Sequence, residues 1–198
     1  MRKLIIFFFS AILLINTHSQ AYSVDPKEFI FELVMDAINK LSDKDTSEET
    51  KSELIEKIAL ENVDINALGL YTLGELRKSL DEKKIIEYQA TFEKYFLKSI
   101  TSRLAEYSSS KFEILNADKK SAKYTIINSK IIPDNGGPEI KIDWRVYTKN
   151  PDQPLIRDLI VEGLSLARTQ KEEFASILNS NNNDVNILIT KLKEFVNN

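Results

Sequence analysis

Asp143, Arg145 and Asp158, carried by the segments KIDWRVY and LIRDLIV, are the residues of this chain that come nearest to a catalytic set. Two carboxylates beside a cation can divide acid and base roles over a water molecule if their surroundings push their proton affinities apart. In an alternating strand, however, Asp143 and Arg145 point away from the side chosen by Trp144, and so towards solvent. The register that would bring Asp158 to them is not set by the sequence.

The rest of the inventory narrows the chemistry further. His18 is the single histidine of the 198 residues, and there is no cysteine. His18 falls in a stretch with the form of a secretory leader. Arg2 and Lys3 give a basic start, Leu4 to Ile15 an apolar run, and Ser19-Gln20-Ala21 a small-x-small end, which predicts cleavage between Ala21 and Tyr22. The run is short of the ~20 residues that span a bilayer. The expected organisation is a cleaved signal peptide, 1–21, and one exported domain, 22–198.

That mature chain has neither imidazole nor thiol. Zinc and copper sites, Ser-His-Asp triads and Cys nucleophiles are thereby excluded, and disulfides cannot form. Neither a dinucleotide fingerprint nor a P-loop is present. Taking Arg2 and Lys3 from the 27 Lys and Arg leaves 25 against 30 Asp and Glu, a net charge of −5. An acidic balance without cationic clusters is unsuited to nucleic acid. The chain must hold together by burying a core, and its length suits one domain.

The elements that position these residues follow from periodicity. Asp25-Pro26-Lys27-Glu28 predicts a helix start, with Asp25 as cap and Glu28 reaching back. Phe29, Leu33, Val34, Ala37, Ile38 and Leu41 then recur at helical spacing. A second helix carries Leu54, Ile55 and Ile58, and a short one breaks near Gly69 or Gly74. Ser79-Leu80-Asp81-Glu82 reads as a capping box opening the longest helix, whose face runs Ile85, Gln89, Phe92, Phe96, Ile100, Leu104, Tyr107. From Lys111 the period changes to that of strands: KFEIL, SAKYTIINSKII, then EIKIDWRVYT after the turn cluster DNGGP, then LIRDLIVEG. Gly163 ends the last strand, and helices over 164–178 and 185–196 follow. Helices, then strands, then helices give an α+β fold: a twisted antiparallel sheet of about four strands, with N-terminal and C-terminal helices packed around it.

The run Val161-Glu162-Gly163-Leu164-Ser165-Leu166, followed by Phe174-Ala175-Ser176-Ile177, resembles the MlaC family of periplasmic phospholipid-binding proteins, also called the toluene-tolerance family. The strand KIDWRVY and the stretch LGELRKSLDEKKIIEYQATFEKYFLKSITSRLAEYS fit the same pattern in the same order. The sequence departs from the family's aromatic-rich stretch at Gly74-Glu75-Leu76-Arg77, and it carries Ile100 and Gln170-Lys171 where other residues are usual. The resemblance implies a monomeric carrier without cofactor or metal, whose cargo is a glycerophospholipid held by its acyl tails in an apolar pocket. It implies two partners, an inner-membrane ABC transporter with an MCE-domain subunit and an outer-membrane lipoprotein–porin complex, and a role in outer-membrane lipid asymmetry.

For the pocket wall the expected residues are Ile140, Ile142, Trp144 and Val146 on one strand. Tyr124, Ile126, Leu159 and Val161 join them from neighbouring strands, and Phe92, Phe96, Ile100 and Leu166 from helices. Each could equally be solid core. Arg145, Arg157 and Arg168 are candidates for a headgroup phosphate. Two other readings stay open: a small cone-shaped α+β hydrolase using Asp143, Arg145 and Asp158, and a ligand-free periplasmic interaction module with a filled core.

Overall fold

The computed structural model describes residues 22–104, 110–134 and 136–198. The expected leader, and Tyr107 of the long helical face, lie outside these. The first helix, α1 (Pro26–Ser42), begins as expected: the Asp25 carboxylate accepts from the amides of Lys27 and Glu28. The reciprocal half of the box is not formed by Glu28. Glu32 instead accepts from the Ser23 amide at 2.7 Å. Next come α2 (Glu48–Asn62), α3 (Ile65–Thr72) and a 3-10 helix, Gly74–Lys78, so the break falls at Gly74. The long helix α4 (Glu82–Leu104) is capped by Asp81, which accepts from Lys84 N at 2.7 Å. Ser79, expected to open the box, donates its hydroxyl back to Leu76 O instead.

Five strands follow: β1 (Ser110–Ser121), β2 (Tyr124–Pro133), β3 (Ile140–Tyr147), β4 (Leu155–Val161) and β5 (Leu164–Ser165). They form one antiparallel sheet in sequence order. The expected four strands thus gain a two-residue fifth. The Glu162-Gly163 turn joining β4 to β5 has left-handed backbone at both positions, φ 49° and 83°. Such a two-residue turn matches the twist of the strands it joins. A side chain at Gly163 would meet nothing within 4 Å, so glycine is favoured here by backbone angle and not by crowding. α5 (Leu166–Asn179) and α6 (Val185–Asn197) complete the chain.

Register settles which residues share a face. Trp144 stands between Ile127 and Leu159, and Ile142 between Ser129 and Val161. On this side α1 lays Phe29, Ile30, Leu33 and Val34 against Phe112, Ile127, Ile131, Trp144, Val146 and Ile156 to make one core. Its interior polar atoms are satisfied in series. The Trp144 indole donates to Ser129 Oγ at 2.9 Å, and Ser129 donates to Ile142 O at 2.8 Å.

A second core belongs to the helices. Ala59, Ile65, Leu73, Tyr88, Phe92, Phe174, Leu188 and Leu192 are buried together, with Phe96 and Ile100 packed at its margin. Phe92 is its hub, stacked on Tyr88 and edge-on to Phe174. Gly69 lets α3 approach α4 here, since an added Cβ would stand 2.9 Å from the Phe92 ring. The Tyr88 hydroxyl shares a 2.7 Å hydrogen bond with Thr72. Burial raises its pKa, against a smaller opposing effect from that bond.

Candidate functional site

The other side of the sheet is only partly covered. α3 and α5 lean on β4, leaving a half-open cavity of about 810 Å³ between them and the strands. Its helical wall is Ala67, Leu68 and Tyr71 of α3 with Ala167 of α5. Its floor comes from two cross-strand rows: Asp118–Ile126–Arg145, and Asn128–Asp143–Ile160. Tyr124, Lys120, Ser121 and Arg157 close the β1 and β2 end.

Arg157 reaches this side through a bulge. Arg145 pairs with Asp158 and Val146 with Ile156, which leaves Arg157 unpaired on β4. A bulge re-aims the extra side chain, and Arg157 meets the cavity-side Tyr124 beside its neighbour Asp158. Its guanidinium donates from Nε to Asp64 at 2.8 Å and from Nη1 to the Tyr124 hydroxyl at 3.0 Å, and stacks 3.5 Å over the Tyr147 ring. Burial works against the charge, but the Tyr124 and Asp64 bonds outweigh it and raise the pKa. Asp64 also caps α3 by accepting from Ala67 N, so one carboxylate ties helix to sheet. The adjoining Val63 pairs with Ile156, which covers the open edge of β4.

Asp158 is a second tie. Its side chain is fully buried; it accepts from Ser165 Oγ at 2.6 Å and from Ala167 N at 3.0 Å, with Arg145 Nη1 at 3.2 Å. This carboxylate is committed to holding the start of α5. The hydrolase reading therefore meets a geometry in which Arg145 and Asp158 do come together, but as a structural clamp. Asp143 accepts from Asn128 Nδ2 at 2.7 Å. Among the described residues no group of His, Cys, Asp and Glu could hold a metal ion, and no helix is long and apolar enough to cross a membrane.

Of the expected wall residues, the cavity brings together Tyr124 and Ile126. Ile140, Ile142, Trp144, Val146, Leu159 and Val161 lie on the opposite face, where Trp144 and Val146 are buried in the α1 core. Phe92, Phe96 and Ile100 pack in the helical core, and Leu166 is exposed. A single wall combining Trp144 with Ile126 is excluded by register, because Ile126 pairs with Arg145. Arg145 and Arg157 line the cavity, whereas Arg168 is paired with Glu172 on the surface of α5. Among the cavity residues not expected from the sequence are Leu68, Tyr71, Asn128 and Ile160. For Asn128 and Ile160 the signal was present, since alternation places them with Ile126 and Asp143. Nothing local marks α3 as the covering helix.

The family model described as MlaC protein matches residues 31–194. The chain belongs to the MlaC family. The fold of this MlaC protein is also that of a solved structure from Ralstonia solanacearum, described as a phospholipid-binding protein in complex with a phospholipid. The two share 18% identity at a TM-score of 0.70, over 84% of this chain and 94% of that one.

Proposed function

We propose that this MlaC protein is a periplasmic phospholipid carrier that holds acyl tails in the cavity between the sheet and helices α3 and α5. The observation that carries this reading is the cavity itself. Its volume of about 810 Å³ falls within the ~300–1,000 Å³ usual for ligand sites. It offers Leu68, Ile126, Ile160 and two alanines to a tail. Family membership and the phospholipid held by the Ralstonia relative support it.

The physics requires no covalent step. Two acyl chains of about sixteen carbons bury roughly 30 methylenes, worth on the order of 20–25 kcal/mol gross at ~0.8 kcal/mol each. A bilayer gives the tails nearly the same return, so a carrier needs only to match the membrane. Lipid can then be taken up and released on small differences in affinity. In this reading the donors and acceptors are the inner-membrane ABC transporter with its MCE-domain subunit and the outer-membrane lipoprotein–porin complex, and the exchange serves outer-membrane lipid asymmetry. The carrier acts as a monomer after loss of residues 1–21.

The test is solvent extraction of the purified mature protein followed by mass spectrometry. A near-stoichiometric amount of phospholipid is expected, and counting its carbons gives the number of tails held. An empty extract from protein purified without detergent would overturn the carrier in favour of a ligand-free interaction module.

A further inference from the structure

Resting on the loss of residues 1–21 in the carrier reading, we infer that α1 carries a binding site for the chain's own new amino terminus. The ammonium freed at Tyr22 pairs with the Glu32 carboxylate and fastens the N-terminal segment to the helix. The residues before the Asp25 cap fold back along α1. Ser23 N donates to Glu32 Oε2 at 2.7 Å, and the Tyr22 hydroxyl donates to Asp36 Oδ2 at 2.6 Å, one turn further on. The Tyr22 ring stands edge-on to Phe29, with 6.4 Å between centroids, and is half-buried against the α1 core. Ser23 Oγ accepts from Asp25 N at 3.2 Å and shapes the bend. The residue directly after the expected scission is thus held on both its main-chain and its side-chain side.

Successive backbone nitrogens are at most ~3.6 Å apart, so the Tyr22 nitrogen lies within about 6 Å of Glu32 Oε2. While the leader is attached, that nitrogen is a neutral amide. Hydrolysis of the Ala21–Tyr22 bond leaves a carboxylate on Ala21 and an amine on Tyr22, which holds a proton below about pH 8. The amine enters an acidic setting. Glu32 and Asp36 of α1 and Glu61 of α2 all act on Tyr22; with burial as the largest cause, they raise the pKa of its phenol. Lys40 offsets Asp36, but neither Glu32 nor Glu61 has an ion pair among the described residues. Like charges four residues apart on a helix repel each other, so a cation beside Glu32 also relieves its repulsion with Asp36. Scission therefore completes the fold at the place where the chain is cut.

The test compares, by thermal unfolding, mature protein beginning at Tyr22 with a form that keeps Ser19-Gln20-Ala21, and repeats the comparison in Glu32→Gln. At about pH 6.5 the form beginning at Tyr22 should melt about 1–3 °C higher, the span expected of one exposed ion pair in a chain of this size. The fold favours the protonated amine, so the advantage is full below the ~7.7 of a free amino terminus and is lost as pH rises through the higher folded value. The two forms should accordingly melt together near pH 10. In the Glu32→Gln pair the difference at the lower pH should fall by more than half. The intact mass of the exported protein should correspond to a chain starting at Tyr22. Equal melting at the lower pH would overturn the site. A difference that persists at the higher pH would overturn it as well, because the added residues and not a charge would then be the cause. A difference undiminished in Glu32→Gln would overturn Glu32 as the acceptor. Another starting residue would overturn the cleavage position and this site with it, whereas the lipid recovered by extraction reports on the carrier separately.

Discussion

On the α1 side of the sheet, Phe112, Ile127, Trp144, Val146 and Ile156 are each less than a tenth exposed; on the opposite side, Ile126 and Ile160 of the same strands are only half-buried. Ile126 and Ile160 are as apolar as Ile127 and Ile156, but their neighbours are Asp118, Asn128, Asp143 and Arg145, and the helical cover differs too. α1 lies along β1 and β2 and fills the first face, whereas α3 and α5 lean mainly on β4 and the short β5 beside it and leave the second short of cover. The polar groups follow suit. Those of the first face form a closed series from Trp144 through Ser129 to a main-chain carbonyl, and those of the second include Arg145 with donors to spare. One sheet thus supplies both a solid core and a receptive surface, and the helices decide which is which.

The contrast can be broken first at Trp144. Trp144→Ala should cost about 3–5 kcal/mol in urea or guanidinium unfolding, because the ring is enclosed by Phe112 and the α1 residues. A charged residue there should unfold the protein and not merely empty it. A loss below ~1 kcal/mol would mean that this face is not solid. Gly69→Ala probes the helical core, where the new methyl meets the Phe92 ring; overpacking predicts a loss of about 1–3 kcal/mol by the same measurement.

Ile126→Glu addresses the receptive face. It should lower the lipid recovered by extraction several-fold while shifting stability by no more than ~1 kcal/mol, since the position is half-buried at a cavity. Full lipid recovery would move the tails elsewhere, with the half-buried Ile142, Leu159 and Val161 as the next place to look.

The smallest effect concerns a surface tie within the helical layer. Glu87 is bonded to Lys84 of its own helix and to Lys193 of α6, and these bonds lower its pKa from 4.5 to about 2. A depressed carboxylate contributes stability that is present above its unfolded pKa and lost as the pH falls towards the folded value. Wild-type stability should therefore decline between about pH 4.5 and 2 more steeply than that of Glu87→Gln, as followed by acid-dependent thermal unfolding. Parallel curves would show that neither lysine contact contributes.

The helices and strands were legible because their periods are clean: Phe29 to Leu41 at helical spacing, Ile140 to Val146 in alternation. The missing fifth strand is two residues long, and no alternation can show in so short a run. The cap of α4 was misplaced by two residues because Ser79 and Asp81 both satisfy the capping preference, and only the preceding 3-10 helix, which takes Ser79 as its own C-cap, decides between them. The site was less legible than the fold. Alternation correctly separates Trp144 from Arg145, but it does not give the register between strands, so Ile126 was grouped with Trp144 although the two stand on opposite faces. The placement of Arg157 depends on a bulge, a slip of register between two strands that neither strand reveals alone.

Val63 packs against both cores and pairs with β4, and the next residue carries the Asp64 tie to Arg157. Together with the Asp158 clamp, this gathers attachments of the helical layer to the cavity side along β4 and the short β5 beside it. A layer fastened along one edge would yield by tilting, like a leaf on a spine, and the gap would widen most at the far margin, by Lys120 and Ser121. Bulkier cargo would be admitted from that margin, with the spine and both oily interiors left undisturbed.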